Sequence, residues 1–133
     1  MINFSKKNII ITGAGGKIGF KISSYFYSQN ANLILIENNI SKLNKLKSNF
    51  KKSTILNCDL EKINSIKNTL KKIKKRYSKI DTIIHTASLV GTSNLTGWNT
   101  KFSNQDIANF DKSFRINVCS IFFIVQQLEK NLN

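Results

Sequence analysis

The segment Thr12-Gly13-Ala14-Gly15-Gly16-Lys17-Ile18-Gly19 constrains the fold of this chain more than any other stretch. It stands directly behind the apolar run Asn8-Ile9-Ile10-Ile11 and opens a pattern in which Ile18, Ile22 and Phe26 recur at helical spacing. A β-branched run of this kind suits a parallel strand buried on both faces. A glycine-rich turn from such a strand into a helix brings backbone N–H groups up to a phosphate at the helix's positive end. Glycine clusters also mark ordinary turns, so the loop has to be weighed together with the residues on its carboxyl side.

Those residues keep the order that a dinucleotide site needs. A second apolar run, Leu33-Ile34-Leu35-Ile36, ends at Glu37, about 20 residues beyond the loop, where a carboxylate accepts ribose hydroxyls. Gly13, Gly16 and Gly19 give G-x-x-G-x-x-G, while Gly15 supplies a glycine two residues after the first. Glu37 would repel a 2′-phosphate, and Asn38 behind it is not the Arg or Lys that would pair with one. NAD is therefore favoured over NADP.

Strand-length apolar runs recur at Asn8 to Thr12, Asn32 to Ile36, Thr54 to Cys58 and Thr82 to Thr86. Helical periods lie between them: Ile18 to Ser28, then Leu43, Leu46 and Phe50, then Ile63, Ile66, Leu70, Ile73 and Tyr77. The alternation predicts an α/β fold, a doubly wound parallel sheet of the Rossmann type with right-handed crossovers. At 133 residues the chain is one domain, without a proline to mark a linker and without an internal repeat. The stretch from Ser88 to Phe102 is a polar loop around Leu95 and Trp98, leaving a strand end where a ligand crevice is expected. Trp98 either sits over that ligand or anchors the loop. A last helix, capped by Ser103 or Asn104 and running to about Leu132, carries Phe110, Phe114, Ile121, Val125 and Leu128 as its apolar stripe. Asn117 falls in the middle of the stripe, as a satisfied core amide or as part of a site.

The formal charge of +14 would suit a nucleic-acid backbone. The basic residues are nearly all Lys, however, scattered among abundant Asn and Ile in the manner of an AT-rich coding bias, and the arginines are Arg76 and Arg115 alone. The densest run, Lys71-Lys72-Ile73-Lys74-Lys75-Arg76, falls on the solvated face of the third helix, so no nucleic-acid role is expected. Nothing spans about 18 apolar residues, and the first seven residues lack the apolar segment of a secretory signal. A cytoplasmic protein without membrane attachment is the expectation. Cys58 and Cys119 read as buried, reduced thiols, and His85, the sole histidine, has no carboxylate or cysteine neighbours in sequence, so no metal is expected.

Taken together the motifs resemble the short-chain dehydrogenase/reductase family over essentially the whole chain. Thr12 to Gly19 is similar to its T-G-x-x-x-G-x-G loop. Cys58-Asp59-Leu60 resembles the acidic position after the third strand, which implies adenine contacts from Asp59 and Leu60. Asp81 to Ser88 resembles D-x-x-x-N-N-A-G, which places His85, Ala87 and Ser88 with the cofactor-binding residues Thr12, Gly13, Gly15, Gly16, Lys17, Ile18, Gly19 and Glu37. Arg115-Ile116-Asn117-Val118 resembles the helix motif whose asparagine belongs to the catalytic tetrad, which implies that Asn117 orients a catalytic lysine through water.

The departures are informative. Lys17 fills the middle-glycine slot and either pairs with the pyrophosphate or points to solvent. The glycine spacing and His85-Thr86-Ala87-Ser88 lean toward the extended branch of nucleotide-sugar epimerases and dehydratases, whereas the Asn117 helix leans toward the single-domain branch. Tyr25, Tyr27 and Tyr77 are followed four residues later by Gln29, Ala31 and Asp81, so no Tyr-x-x-x-Lys is present. The resemblance thus implies the amino-terminal, cofactor-binding part of an NAD-dependent oxidoreductase, truncated after the fourth strand and the following long helix. It would interconvert an alcohol and a ketone on a small polar substrate, by analogy a sugar of bacterial surface or flagellin modification. A non-catalytic nucleotide-binding module, or a degraded gene product, is the alternative. The resemblance also implies a homo-oligomer through the carboxyl-terminal helix, and an unprotected fourth strand prone to self-association.

Overall fold

A computed structural model describes residues 3–90 and 97–132. Its elements alternate as β1 (Asn8–Thr12), α1 (Lys17–Ser28), β2 (Asn32–Glu37), α2 (Ile40–Asn49), β3 (Thr54–Asn57), α3 (Ile63–Arg76) and β4 (Thr82–His85). Beyond the loop come α4 (Ile107–Phe114), a π-turn (Arg115–Cys119) and α5 (Ser120–Leu128). The four strands form one sheet in the order β3-β2-β1-β4, every pair parallel. This is a doubly wound Rossmann-type arrangement.

Strand alternation sorts the isoleucines of β1 between two cores. Ile9 and Ile11 face one layer with Leu33, Leu35, Leu46 and Phe50, against which Phe20, Ile22 and Phe26 of α1 pack. Ile10 faces the other with Ile34, Ile36, Ile66, Leu70, Ile73, Ile124 and Leu128. The helices α1 and α2 therefore cover one face, and α3 and α5 the other. The change of face comes where the chain passes from β3 to the far side of β1, so the sheet has its switch point between β1 and β4.

The opposite ends of these two strands are tied by a charge. The Asp81 carboxylate accepts from Asn8 N–H at 2.9 Å and from the Lys7 ammonium at 3.2 Å. The Asn8 bond, assisted by Lys7 and Lys79, holds the Asp81 carboxyl below its ordinary pKa. At the β4 margin a single parallel bridge joins Ile80 to Leu132, with Ile80 N–H on the Asn131 carbonyl at 2.7 Å. Beyond that bridge β4 stands at the edge of the sheet among the described residues.

Several expectations need correction. Ile63 is exposed at the start of α3, and Ile18 is 69% exposed at the start of α1, where the neighbouring Gly19 is the residue turned inward, against the Gly13 carbonyl and Thr86. The last helix begins after a 3₁₀ turn, Phe102–Asn104, and its cap is Asp106, which accepts from Ala108 N–H at 2.9 Å, rather than Ser103 or Asn104. Its inward side is Ser113, Ser120, Ile124 and Leu128, whereas Phe110, Phe114 and Val125 point outward. The expected stripe assumed one uninterrupted helix with its most apolar face inside. The inward hydroxyls are instead satisfied on backbone carbonyls, Ser113 on Leu89 at 3.1 Å and Ser120 on Ile116 at 2.6 Å, and the π-turn rotates α5 relative to α4. Cys58 is buried as expected, but Cys119, on the outer side of the π-turn, is exposed. Trp98 is half-buried, while Gly91 to Thr96 and the Leu95 reading lie outside the described residues. Among the described residues no helix is long and apolar enough to cross a membrane.

Candidate functional site

The parallel strands all end on one side, where a cavity of about 210 Å³ opens. Gly13 and Gly16 form its floor, and Ile36, Glu37, Asn38 and Lys42 one wall. Cys58, Asp59 and Leu60 close the end beyond β3, and Thr86, Ala87, Ser88, Leu89 and Ile116 stand opposite.

Glycine is required at two loop positions for steric reasons. Gly13 has φ +64°, and a Cβ there would lie 2.6 Å from both the Cα and the amide nitrogen of Ala87. A Cβ at Gly19 would strike the Gly13 carbonyl and sit 2.7 Å from Thr86 Oγ1. The loop thus lies directly against the segment after β4, and Thr86 fastens it by donating to the Thr12 carbonyl at 2.7 Å. The cap residue of α1, Gly16, offers no side chain, and the first turn of α1 has no acidic residue. That helix end is suited to an external anion.

Glu37 is buried at the end of β2. Its Oε2 accepts from Gly15 N–H at 3.1 Å, and its Oε1 from Asn38 and Asn39 N–H at 2.9 and 3.1 Å. The carboxylate therefore joins the glycine loop to the start of α2 as well as facing the cavity. Asp59 is turned partly on itself, its Oδ1 accepting from Glu61 N–H at 3.0 Å and its Oδ2 pairing with Lys62 at 3.2 Å.

Of the residues expected from the sequence, Gly13, Gly16, Glu37, Asp59, Leu60, Ala87 and Ser88 line the cavity. Thr12 and Gly19 are buried beneath it and Gly15 is covered by Glu37 and Lys42, while Lys17 and Ile18 stand exposed at the start of α1. His85 and Asn117 lie behind the wall rather than on it. Asn117 Oδ1 accepts from Leu89 N–H at 2.8 Å, and its Nδ2 donates to the Leu89 carbonyl at 3.0 Å and to Ser113 Oγ at 3.1 Å. Its side chain is committed to shaping the segment after β4. The His85 ring bonds Thr12 Oγ1 through Nδ1 at 2.7 Å. Burial pushes its pKa down, more than the nearby backbone of Ile116 and Asn117 raises it. Lys42 and Ile116 were not expected at the site: α2 and the π-turn bring them there, and no local pattern marks them. Leu89 belongs to the stretch after β4 that was expected to border the crevice. Among the described residues, no three His, Cys, Asp or Glu side chains group as a metal site.

A parallel sheet with a glycine loop at its switch point and an acid closing β2 defines a Rossmann-type scaffold of the dinucleotide-binding kind. The sequence pattern of the short chain dehydrogenases matches residues 7–133, and the chain belongs to that family. In a match 107 positions long that covers 71% of this chain, it is 28% identical to the "Dehydrogenase/reductase SDR family protein 7-like" of Dictyostelium discoideum, of which the match covers 34%. A short-chain dehydrogenase/reductase of Brucella melitensis described as a glucose/ribitol dehydrogenase superposes with a TM-score of 0.83 at 19% identity, over 99% of this chain and 54% of that one. A short chain dehydrogenase of Shigella flexneri complexed with NADP gives 0.82 at 22% identity, over 97% and 54%. The chain spans about half the length of these solved structures.

Proposed function

We propose that these 133 residues form the dinucleotide-binding part of an NAD-dependent oxidoreductase that interconverts an alcohol and a ketone on a small polar substrate of the sugar type. The observation that carries the reading is the uncapped start of α1, set against Gly13 and Gly19, beside a buried carboxylate in the same cavity. The residues fit the cofactor: the α1 end would take the pyrophosphate, Ile36 and Leu60 would flank the adenine, and Glu37 would take the ribose. A carboxylate has about four acceptor positions; three are used by backbone N–H groups, which leaves one on Oε2 for a ribose hydroxyl, while a 2′-phosphate, an anion with no proton to donate, would be repelled. The bound nicotinamide would supply the hydride chemistry. Asn117 and Ser113 hold Leu89, and with it the shape of the cavity wall that would border the group. No Tyr-x-x-x-Lys lies within the sequence, so no residue here is assigned the proton transfer.

Calorimetric titration tests the reading. NAD⁺ is expected to bind more tightly than NADP⁺; the reverse order would overturn the cofactor preference, and binding of neither would overturn the site. A second reading is a nucleotide-binding module without catalysis, and NADH oxidation with a panel of ketones separates the two. A second copy of the chain covers the outward side of α4 and α5. Phe110, Phe114, Val118 and Phe122 are all exposed there, a larger apolar surface than isolated residues explain. In sedimentation, Phe114→Ser with Phe122→Ser is expected to convert dimers to monomers; an unchanged species would refute this interface.

A further inference from the structure

His85 is the one histidine of the chain, and neither of its two ring nitrogens is used by a cofactor role. Nδ1 lies 2.7 Å from Thr12 Oγ1, on the strand that launches the glycine loop. Nε2 is buried with no partner at hydrogen-bond distance among the described residues, and the backbone of Ile116 and Asn117 in the π-turn favours a charged ring. A buried polar atom in that position calls for a partner. The ring does not border the cavity; Thr86, Ala87 and Ser88, just after it, do.

We propose that His85 is a positioning residue that couples the glycine loop to the π-turn carrying Asn117, fixed as the Nε2–H tautomer, with Nδ1 accepting from the Thr12 hydroxyl and Nε2–H directed at the π-turn carbonyls.

The chemistry at both ends selects this tautomer. Thr12 Oγ1 is approached at 3.5 Å by Ala87 N–H, and among the described residues the hydroxyl has no acceptor but Nδ1 for its own proton. The Ile116 and Asn117 groups that favour a charged ring are acceptors, so a bare Nε2 lone pair would be repelled there and an N–H attracted. Burial lowers the pKa of the ring, so it stays neutral into the range where a free imidazole begins to protonate, and a neutral ring has one N–H to place. The result is a link from β1, through β4, to the turn whose Asn117 holds Leu89 and whose Ile116 faces the cavity. Imidazole suits the task because its two nitrogens point in different directions, whereas an asparagine amide presents both polar atoms at one end.

The sole histidine makes the test direct. In a long-range ¹H–¹⁵N spectrum of the imidazole-labelled chain at pH 8, recorded without nucleotide, the expected result is one ring with a pyridine-type Nδ1, a pyrrole-type Nε2 and a slowly exchanging Nε2 proton. An Nδ1–H ring, or shifts averaged between tautomers, would overturn the proposal. Thr12→Val is expected to release the ring to averaged shifts and Thr12→Ser to restore the lock; a Thr12→Val ring that stays Nε2–H removes Thr12 from the link. The functional consequence rests on the dinucleotide reading. His85→Asn is expected to weaken NAD⁺ binding about fivefold, the worth of one hydrogen bond, and an unchanged affinity would count against the coupling. Because the spectrum needs no nucleotide, a failed tautomer and a failure to bind NAD⁺ are separate results.

Discussion

The starts of α1 and α2 both reach the cavity, and they are finished in opposite ways. At α2 the chain supplies its own acceptors: Asn39 Oδ1 takes Lys42 N–H at 3.0 Å, and Glu37 takes the N–H groups of Asn38 and Asn39. At α1 the cap is a bare glycine with no acid in the first turn. Two helix ends of the same polarity thus have different purposes. The one closed by side chains fixes the geometry of the wall, and the one left open is where an external anion completes the structure. Glu37 connects the two, since its other oxygen holds Gly15 in the loop before α1.

The largest effect should come from closing the open end. Gly13→Ala places a methyl against the Ala87 backbone at a positive φ, and we expect a loss of about 3 kcal/mol together with loss of NAD⁺ binding. A variant that melts normally and still binds would show that the loop is an ordinary turn. Next is the shared carboxylate. Glu37→Ala strands three N–H groups in a partly buried setting, a cost of about 1 to 2 kcal/mol in urea unfolding, and should raise NADP⁺ affinity relative to NAD⁺. If stability falls while the ratio stays fixed, Glu37 is a strut and not a selector.

Smaller effects separate the two ends. Asn39→Ala removes only the α2 cap, so about 1 kcal/mol of stability should go while NAD⁺ affinity is retained; a parallel loss of affinity would mean that the closed end also serves the ligand. The smallest is a pH effect behind the loop. The His85 pKa is lowered in the folded state, so the unfolded chain takes up the proton first. Its contribution is present above the usual 6.5 and is lost as pH falls below it, with a slope of at most about 1.4 kcal/mol per pH unit. His85→Asn should flatten the stability profile between pH 7 and 5; an unchanged slope would place its origin elsewhere.

Much of the fold was legible residue by residue. The bounds of β1 follow from three isoleucines before a glycine, and the α3 core from Ile66, Leu70 and Ile73 at helical spacing. Glu37 at a strand end was visible because strand length and alternation fix where the side chain falls. The region after β4 was not legible in the same way. A local rule sends the more apolar face of a helix inward, yet Phe110 and Phe114 are outside while Ser113 and Asn117 are held inside by the Leu89 backbone. Lys42 and Ile116 reach the cavity only because separate elements converge on it.

Periodicity, glycine placement and the acid at Glu37 determined by themselves that this chain forms alternating strands and helices with a nucleotide-type loop, because those signals act over a few neighbouring residues. Tertiary structure alone decided which face of α4 and α5 turns inward, that Asn117 grips Leu89, that Glu37 bridges two helix ends, and that His85 lies behind the wall instead of on it. Each depends on hydrogen bonds between residues distant in sequence, and a buried polar group takes whichever partner the assembled fold brings within reach.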